Sequence, residues 1–425
     1  MEKLYQYLWK SRMFGKNLKE AGGQDITVID PGRLNTDAGP DFFNSKVRIG
    51  DTEWAGNVEI HVKASDWYRH GHQNDPAYDS IILHVVGVSD RRVTRSDGSI
   101  IPQVEITLPE NFFRTYSHLS LNADDIRCGD FLHDLPSLTL TDWLETLAVE
   151  RLQAKAMKAY EICKTCGMDW EQTCFVVLAR AFGFGLNGDP FELLARSVAL
   201  KILHHHSDNP LQIQAILFGQ AAMLDSSLHI FDEYYQYLCR EYYFLARKYG
   251  LRPMRPGQWK YSRTRPQNFP HRRIAFLAKA CEGGFALLSR ILDCKGNEQE
   301  LRKLFEWRLD GYWHDHFSFD VDARSISDTL SNTSITLLLI NAVAPIIYAK
   351  GAITGDTDMM DSAFRLLSSL PPEANAITRL WQGLGMKASD AMRSQALIHL
   401  KKEYCDPRKC LYCRFGNQAL KRAAT

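Results

Sequence analysis

Asn35-Thr36-Asp37-Ala38-Gly39-Pro40-Asp41-Phe42, then Gly56-Asn57-Val58-Glu59-Ile60-His61 and Asp66-Trp67, is the stretch that decides how this chain folds. Glu59 and His61 are two residues apart in a β-branched run, so in a strand they share one face while Val58 and Ile60 take the other. Asp41 follows a Gly-Pro turn in the preceding segment. A hairpin joining the two segments brings Asp41 to the face carrying Glu59 and His61. Two carboxylates so placed suit Mg²⁺ or Mn²⁺, hard cations that prefer oxygen. Such an ion polarises a phosphate ester and lowers the pKa of an attacking water. The alternative is structural: Asp37 and Asp41 cap turns, and Glu59 and His61 face solvent.

Outward from this stretch, residues 26–108 are β-rich. Ile26–Ile29, Phe43–Ile49, Asn57–Val62, Ile81–Val88 and Val104–Leu108 are β-branched runs bounded by Gly, Asp, Asn or Pro. Asp97-Gly98 marks a tight turn before the last of them. From about residue 124 the pattern is helical, beginning with Leu138–Tyr160, for which Thr141 is the expected N-cap. The expected fold class is α+β: a small mixed β-sheet, nuclease-like domain over 1–120, a large all-helical domain over 121–400, and a cysteine-bearing segment over 401–425. At 425 residues the chain exceeds a single core. A formal net charge of +1 leaves partner preference to local charge. The longest apolar run, Ile335–Tyr348, is broken by Asn341 and Pro345 and is too short to span a bilayer. The N-terminus reads as an amphipathic helix without a signal peptide's apolar core. A cytoplasmic location follows as an expectation, with the ten cysteines as thiols or metal ligands.

Three further features carry chemistry. Trp67-Tyr68-Arg69-His70-Gly71-His72-Gln73-Asn74-Asp75 places two histidines near the Glu59 strand. His72 and Asp75 are candidates to orient water or support a metal there; the alternative is a capped turn with exposed polar side chains. His84 lies within an apolar strand and reads as a core histidine. Residues 242–281 hold ten Lys/Arg and no Asp or Glu. Arg252, Arg255, Lys260, Arg263, Arg265 and Arg273, with Trp259 between them, are candidates to bind DNA or RNA, because guanidinium groups fit phosphate and aromatic faces stack on bases. The alternative is a clamp with the arginines paired internally. Finally, Cys405, Cys410 and Cys413 form C-x₄-C-x₂-C, a spacing that suits Zn²⁺ or an iron–sulfur cluster, with Cys128 the expected fourth ligand. Free thiols on a packed segment are the alternative.

Pro40-Asp41 followed by Glu59-Ile60-His61 resembles the PD-(D/E)xK nuclease superfamily, in which an Asp on one strand and an Asp/Glu-x-Lys on the next form the active site. The likeness covers residues 26–108. It implies a metal-dependent nuclease, or a nucleic-acid-binding protein derived from one, with Asp41, Glu59 and His61 as catalytic residues and Mg²⁺ or Mn²⁺ held by Asp41 and Glu59. His61 stands where that superfamily has Lys. Lys is a fixed cation, whereas histidine is largely neutral at pH 7, so His61 is a base, a metal ligand or the mark of a degenerate site; Lys63 is two residues on. A non-catalytic scaffold retaining the shell of such a site is the second expectation. The whole chain also resembles an uncharacterised bacterial family, domain of unknown function 2851, through Asn35–Phe42, Gly56–His61, Asp75–Tyr78, Leu83–Val86, Arg265–Pro270 and Cys410–Cys413. That likeness implies the architecture and no established activity.

Overall fold

The structure is a computed structural model. It describes residues 1–14, 17–35, 37–107, 110–121, 125–225, 232–262, 264, 268–322 and 326–424. The fold is α+β, and the chain divides into two compact units: residues 1–140 together with 402–425, and residues 141–401. The sequence pattern sets a boundary near 120 and leaves 401–425 apart. In the structure that segment folds into the first unit, where its last helix, Arg414–Ala424, packs on α3 (Glu110–Leu121).

The first unit opens with α1 (Glu2–Ser11), whose Leu4, Tyr5, Tyr7, Leu8 and Trp9 are buried. A sheet follows, built from β1 (Leu18–Lys19), β2 (Asp25–Asp30), β3 (Arg33–Leu34), β4 (Phe42–Ile49), β5 (Thr52–Lys63), β6 (Ile81–Val88) and β7 (Gln103–Glu105). The order is β1-β2-β4-β5-β6-β7, with β3 paired to β4. The pairs from β1 to β5 are antiparallel, whereas β5–β6 and β6–β7 are parallel. Gly50 and Asp51 form the two-residue loop of the β4–β5 hairpin, with Ile49 opposite Thr52 and Gly50 at φ 57°. Parallel β5 and β6 need a crossover. It is supplied by α2 (Asp66–Arg69) and two 3₁₀ turns, His72–Asn74 and Pro76–Tyr78.

Both faces of the sheet centre are covered. Ile81–Val86 are all buried, and so are Val58, Glu59, Ile60 and His61. A strand buried on both faces loses its polar alternation, which is why Glu59 and His61 are interior and not solvent-facing. Close approach sets the β5–β6 spacing at Gly56: a Cβ there would meet Ile82 Cγ2 at 2.3 Å and the Ser80 carbonyl at 2.9 Å. Gly56→Val is therefore expected to destabilise the protein by about 1–3 kcal/mol through overpacking, measurable by denaturant unfolding; an unchanged midpoint would contradict the close packing described.

Among the described residues the second unit is mainly helical and carries a two-stranded hairpin, His316–Ser318 with Val321–Asp322, which the sequence pattern does not announce. The helix begun by α4 (Ser137–Thr165) starts four residues before Thr141, so Thr141 lies inside it and does not cap it. Asn332–Thr354 is one continuous 23-residue helix, long and apolar enough to cross a membrane, but largely buried within the unit. Asn341 and Pro345 do not interrupt it. Pro345 lacks an N–H, and the helix widens into a π-turn over Leu339–Val343 that accommodates it. Asn341 Nδ2 donates to the Leu337 carbonyl at 2.9 Å, and its Oδ1 accepts from Lys155 Nζ at 2.8 Å.

Candidate functional site

Asp41 stands just before β4, and Phe42 pairs with Val58, so Asp41 meets the middle of β5. The two carboxylates are locked by reciprocal hydrogen bonds. Asp41 N–H donates to Glu59 Oε2 at 3.0 Å, and Ile60 N–H donates to Asp41 Oδ2 at 3.0 Å. Gln6 of α1 donates from Nε2 to Asp41 Oδ1 at 2.8 Å. A register shift between Phe42 and Ser45 places a bulge beside the site, with Asn44 at φ 56°; bulges of this kind re-aim neighbouring side chains. Burial pushes both carboxyls upward. For Glu59 the neighbouring Asp41 charge adds to the rise, and for Asp41 the bond from Ile60 opposes it.

Four histidines converge on the same face. The parallel register sets Glu59 beside His84 and His61 beside Val86. His61 Nδ1 lies 2.8 Å from His84 Nε2, and His61 Nε2 lies 3.1 Å from His70 Nδ1. His84 Nδ1 faces Gln103 Oε1 at 3.3 Å, and Gln103 Nε2 donates to Ser89 Oγ at 2.6 Å. His72, in the 3₁₀ turn, stacks on Tyr78 with ring centroids 3.8 Å apart. Its Nε2 is buried without a hydrogen bond, 3.5 Å from Glu59 Oε1. Burial lowers His61 to about 2, with the other three histidines adding to the effect, and lowers His72 and His84 to about 4. Burial thus favours the neutral form of His61, His72 and His84, the form that binds metals.

Among the described residues, His61, His70 and His72 form the group of three side chains whose ligand atoms all lie within 4.8 Å of one another. Glu59 Oε1 is 3.8 Å from His61 Nε2. The arrangement is richer in nitrogen than the sequence pattern predicts. Asp75 does not join it: its carboxylate accepts from Ala77 N–H at 2.9 Å and caps the turn at Pro76. Lys63 is exposed at the end of β5. His84 is fully buried, but in contact with His61 and not merely filling the core. The signal available in the sequence was four of the fourteen histidines falling at 61, 70, 72 and 84.

The basic stretch belongs to the second unit and divides in two. Arg252, Arg255 and Lys260 are exposed. Arg273 and Trp259 are interior, which removes them from contact with phosphate or bases. Arg273 is 3% exposed, lies over the Phe184 ring at 4.3 Å and donates to Asn268 and Ser334; burial and the adjacent Arg272 lower it to about 9. Trp259 donates from Nε1 to the Ala221 carbonyl at 2.8 Å and packs edge-on against Phe191. Arg263 and Arg265 lie outside the described residues. The long side chains of a basic stretch can bury their stems as readily as expose them.

The tail thiols gather with Cys128 in the first unit. Arg127 Nη1 donates to the Cys405 carbonyl at 3.1 Å, and Cys410 Sγ lies 3.9 Å from the Leu119 carbonyl. Cys128 and Cys413 are buried, while Cys405 and Cys410 are half-buried. Burial pushes the Cys128 thiol up, and Cys413, Cys405 and Cys410 add to that rise.

No curated protein and no solved structure matches the chain. The model of a family described as protein of unknown function (DUF2851) matches residues 2–376, and with nearly the whole chain so covered the protein belongs to that family.

Proposed function

We propose that the first unit is a metal-dependent phosphodiester hydrolase acting on DNA or RNA. The observation that carries this reading is the interlocked pair Asp41 and Glu59, one at the start of β4 and one on β5, with His61 two residues on. It is the placement that the resemblance to PD-(D/E)xK nucleases implies. The donor set accommodates a divalent cation: Glu59 Oε1 faces the histidines, and burial, which raises both carboxyls, would be offset by such an ion. Such an ion would polarise the phosphate and acidify a bound water. Asp41 and Glu59 would hold it, Gln6 and the backbone N–H groups would fix the carboxylates, and His61 Nε2, which faces the same point, would join them. In the second unit, considered by itself, exposed Arg252, Arg255 and Lys260 offer positive charge to which a polyanion could bind.

A second reading, a non-catalytic nucleic-acid-binding scaffold, is favoured by one observation: one oxygen of each carboxylate is already engaged by a backbone N–H. Incubation with single- and double-stranded DNA and RNA in Mg²⁺ or Mn²⁺ separates the two. Cleavage abolished by a chelator is the expected result. Salt-sensitive binding without cleavage of any substrate would overturn catalysis and leave the scaffold.

We further infer that Cys128, Cys405, Cys410 and Cys413 hold Zn²⁺ or an iron–sulfur cluster, supported by the gathering of four thiols from segments nearly 300 residues apart in sequence. Protein purified without oxygen is expected to contain zinc, or iron with labile sulfide, of which Cys413→Ser loses the portion held by the thiols. Absence of both metals would reject the site.

A further inference from the structure

We propose that His61, His70, His72 and Glu59 form a first-row transition-metal site, so that the ion at the first unit's centre is bound mainly by nitrogen and Mg²⁺ is not its natural occupant. The ion's catalytic use rests on the hydrolytic reading above; its binding does not.

The geometry is that of a three-nitrogen, one-oxygen shell. Ligands held at 2.0–2.1 Å around a tetrahedral ion lie roughly 3.3–3.4 Å from one another. Here His61 Nε2 is 3.1 Å from His70 Nδ1 and 3.8 Å from Glu59 Oε1, and His72 Nε2 is 3.5 Å from Glu59 Oε1. The three imidazole ligand atoms lie within 4.8 Å of one another. His72 is 9% exposed and its buried Nε2 makes no hydrogen bond, so a lone pair or proton faces this point unmatched. A buried polar atom without a partner is costly, and a metal bond satisfies it.

A chain of hydrogen bonds behind the site fixes which nitrogen of His61 is free. Gln103 donates its amide N–H to Ser89 Oγ, which turns its carbonyl oxygen toward His84. His84 therefore carries its proton on Nδ1 and presents a lone pair at Nε2. His61 must then donate from Nδ1 to His84, leaving Nε2 as a lone pair aimed at His70 and the shared point. Metal-bound histidines commonly have this arrangement: the far ring nitrogen donates to a neighbour, which sets the tautomer and the ring plane. Mg²⁺ demands a near-octahedral oxygen shell and dehydrates reluctantly. Three imidazoles instead suit zinc, cobalt, nickel, iron or manganese in the divalent state.

The test is titration of the full chain, stripped with chelator, by Co²⁺ followed in the visible region, alongside Zn²⁺ and Mg²⁺ by calorimetry. The expected result is one equivalent of Co²⁺ that lacks thiolate charge-transfer absorption, is displaced by Zn²⁺, and survives a ~100-fold excess of Mg²⁺. His70 is exposed, so His70→Ala keeps the fold; it is expected to weaken this equivalent by about 100-fold or more. Failure of the wild type to bind such an equivalent, or equal binding by His70→Ala, overturns the site. Stoichiometric binding lost in His70→Ala, with no substrate cleaved, supports the site and removes the nuclease reading. Cleavage in Mg²⁺ alone that His70→Ala leaves intact does the reverse.

Discussion

Glu59→Gln is expected to abolish metal-dependent cleavage while leaving the fold intact. Glu59 is 5% exposed and its carboxyl is pushed upward by burial and by Asp41, so an uncharged amide of the same shape sits in the same environment at little cost. The amide can still accept the Asp41 N–H that Glu59 Oε2 now receives, which keeps the start of β4 in place. What it loses is an oxygen facing His72 and His61 that a bound cation would hold in the anionic form. Loss of a group that binds the ion and shapes the proton path is expected to cost roughly 10²–10⁴-fold in rate. The measurement is cleavage at saturating Mn²⁺ beside thermal unfolding of both proteins. Equal rates in mutant and wild type would sink the proposed activity. A collapsed melting temperature would show instead that Glu59 holds the sheet together.

Arg272→Leu is expected to destabilise the second unit by roughly 3 kcal/mol or more, because each buried acceptor left unmatched costs about 1–3 kcal/mol and three carbonyls lose their donor. Arg272 is fully buried on the helix Pro270–Cys281. Its Nη1 donates to the carbonyls of Trp313 and His316 at 2.6 and 2.9 Å, and its Nη2 donates to the Ser327 carbonyl at 2.5 Å. One planar guanidinium thus closes three carbonyls around the small hairpin, and leucine would satisfy none of them. Arg272→Lys is expected to recover only part of the loss, because an ammonium cannot reproduce the fork geometry. Chemical denaturation monitored by tryptophan fluorescence reports both, since Trp313 is itself buried there. A midpoint unchanged in the leucine variant would show that these bonds add no net stability.

Local signals carried much of the fold. The β-branched runs, the Gly-Pro turn before Asp41 and the change to helical periodicity past residue 124 depend on neighbours a few positions apart, and these are what a sequence displays. The nearness of Asp41 to Glu59 was legible for the same reason: one hairpin joins them, and a hairpin's register follows from its loop and its pattern. Burial was less legible. Trp259 and Arg273 sit in a stretch whose charge suggests an exposed surface, yet helix packing places them inside. The helix Asn332–Thr354 continues through Pro345 because its buried surroundings and a π-turn accommodate the missing donor, which local propensity does not foresee.

By itself, then, the sequence determined the α+β class, most of the strands and helices, and the nearness of Asp41 to Glu59, all of which follow from short-range periodicity and turn chemistry. Only the tertiary structure decided that His61, His70, His72 and His84 meet. That convergence needs the parallel β5–β6 register, which sets His84 beside Glu59, and the short crossover of α2 and its 3₁₀ turns, which returns His70 and His72 over the strand. Cys128 was already the expected partner of the tail thiols, and the docking of the last helix on α3 is the long-range contact that the sequence did not display. Such contacts join residues far apart in sequence through packing and loop closure, and no single segment's pattern encodes both partners of a long-range contact.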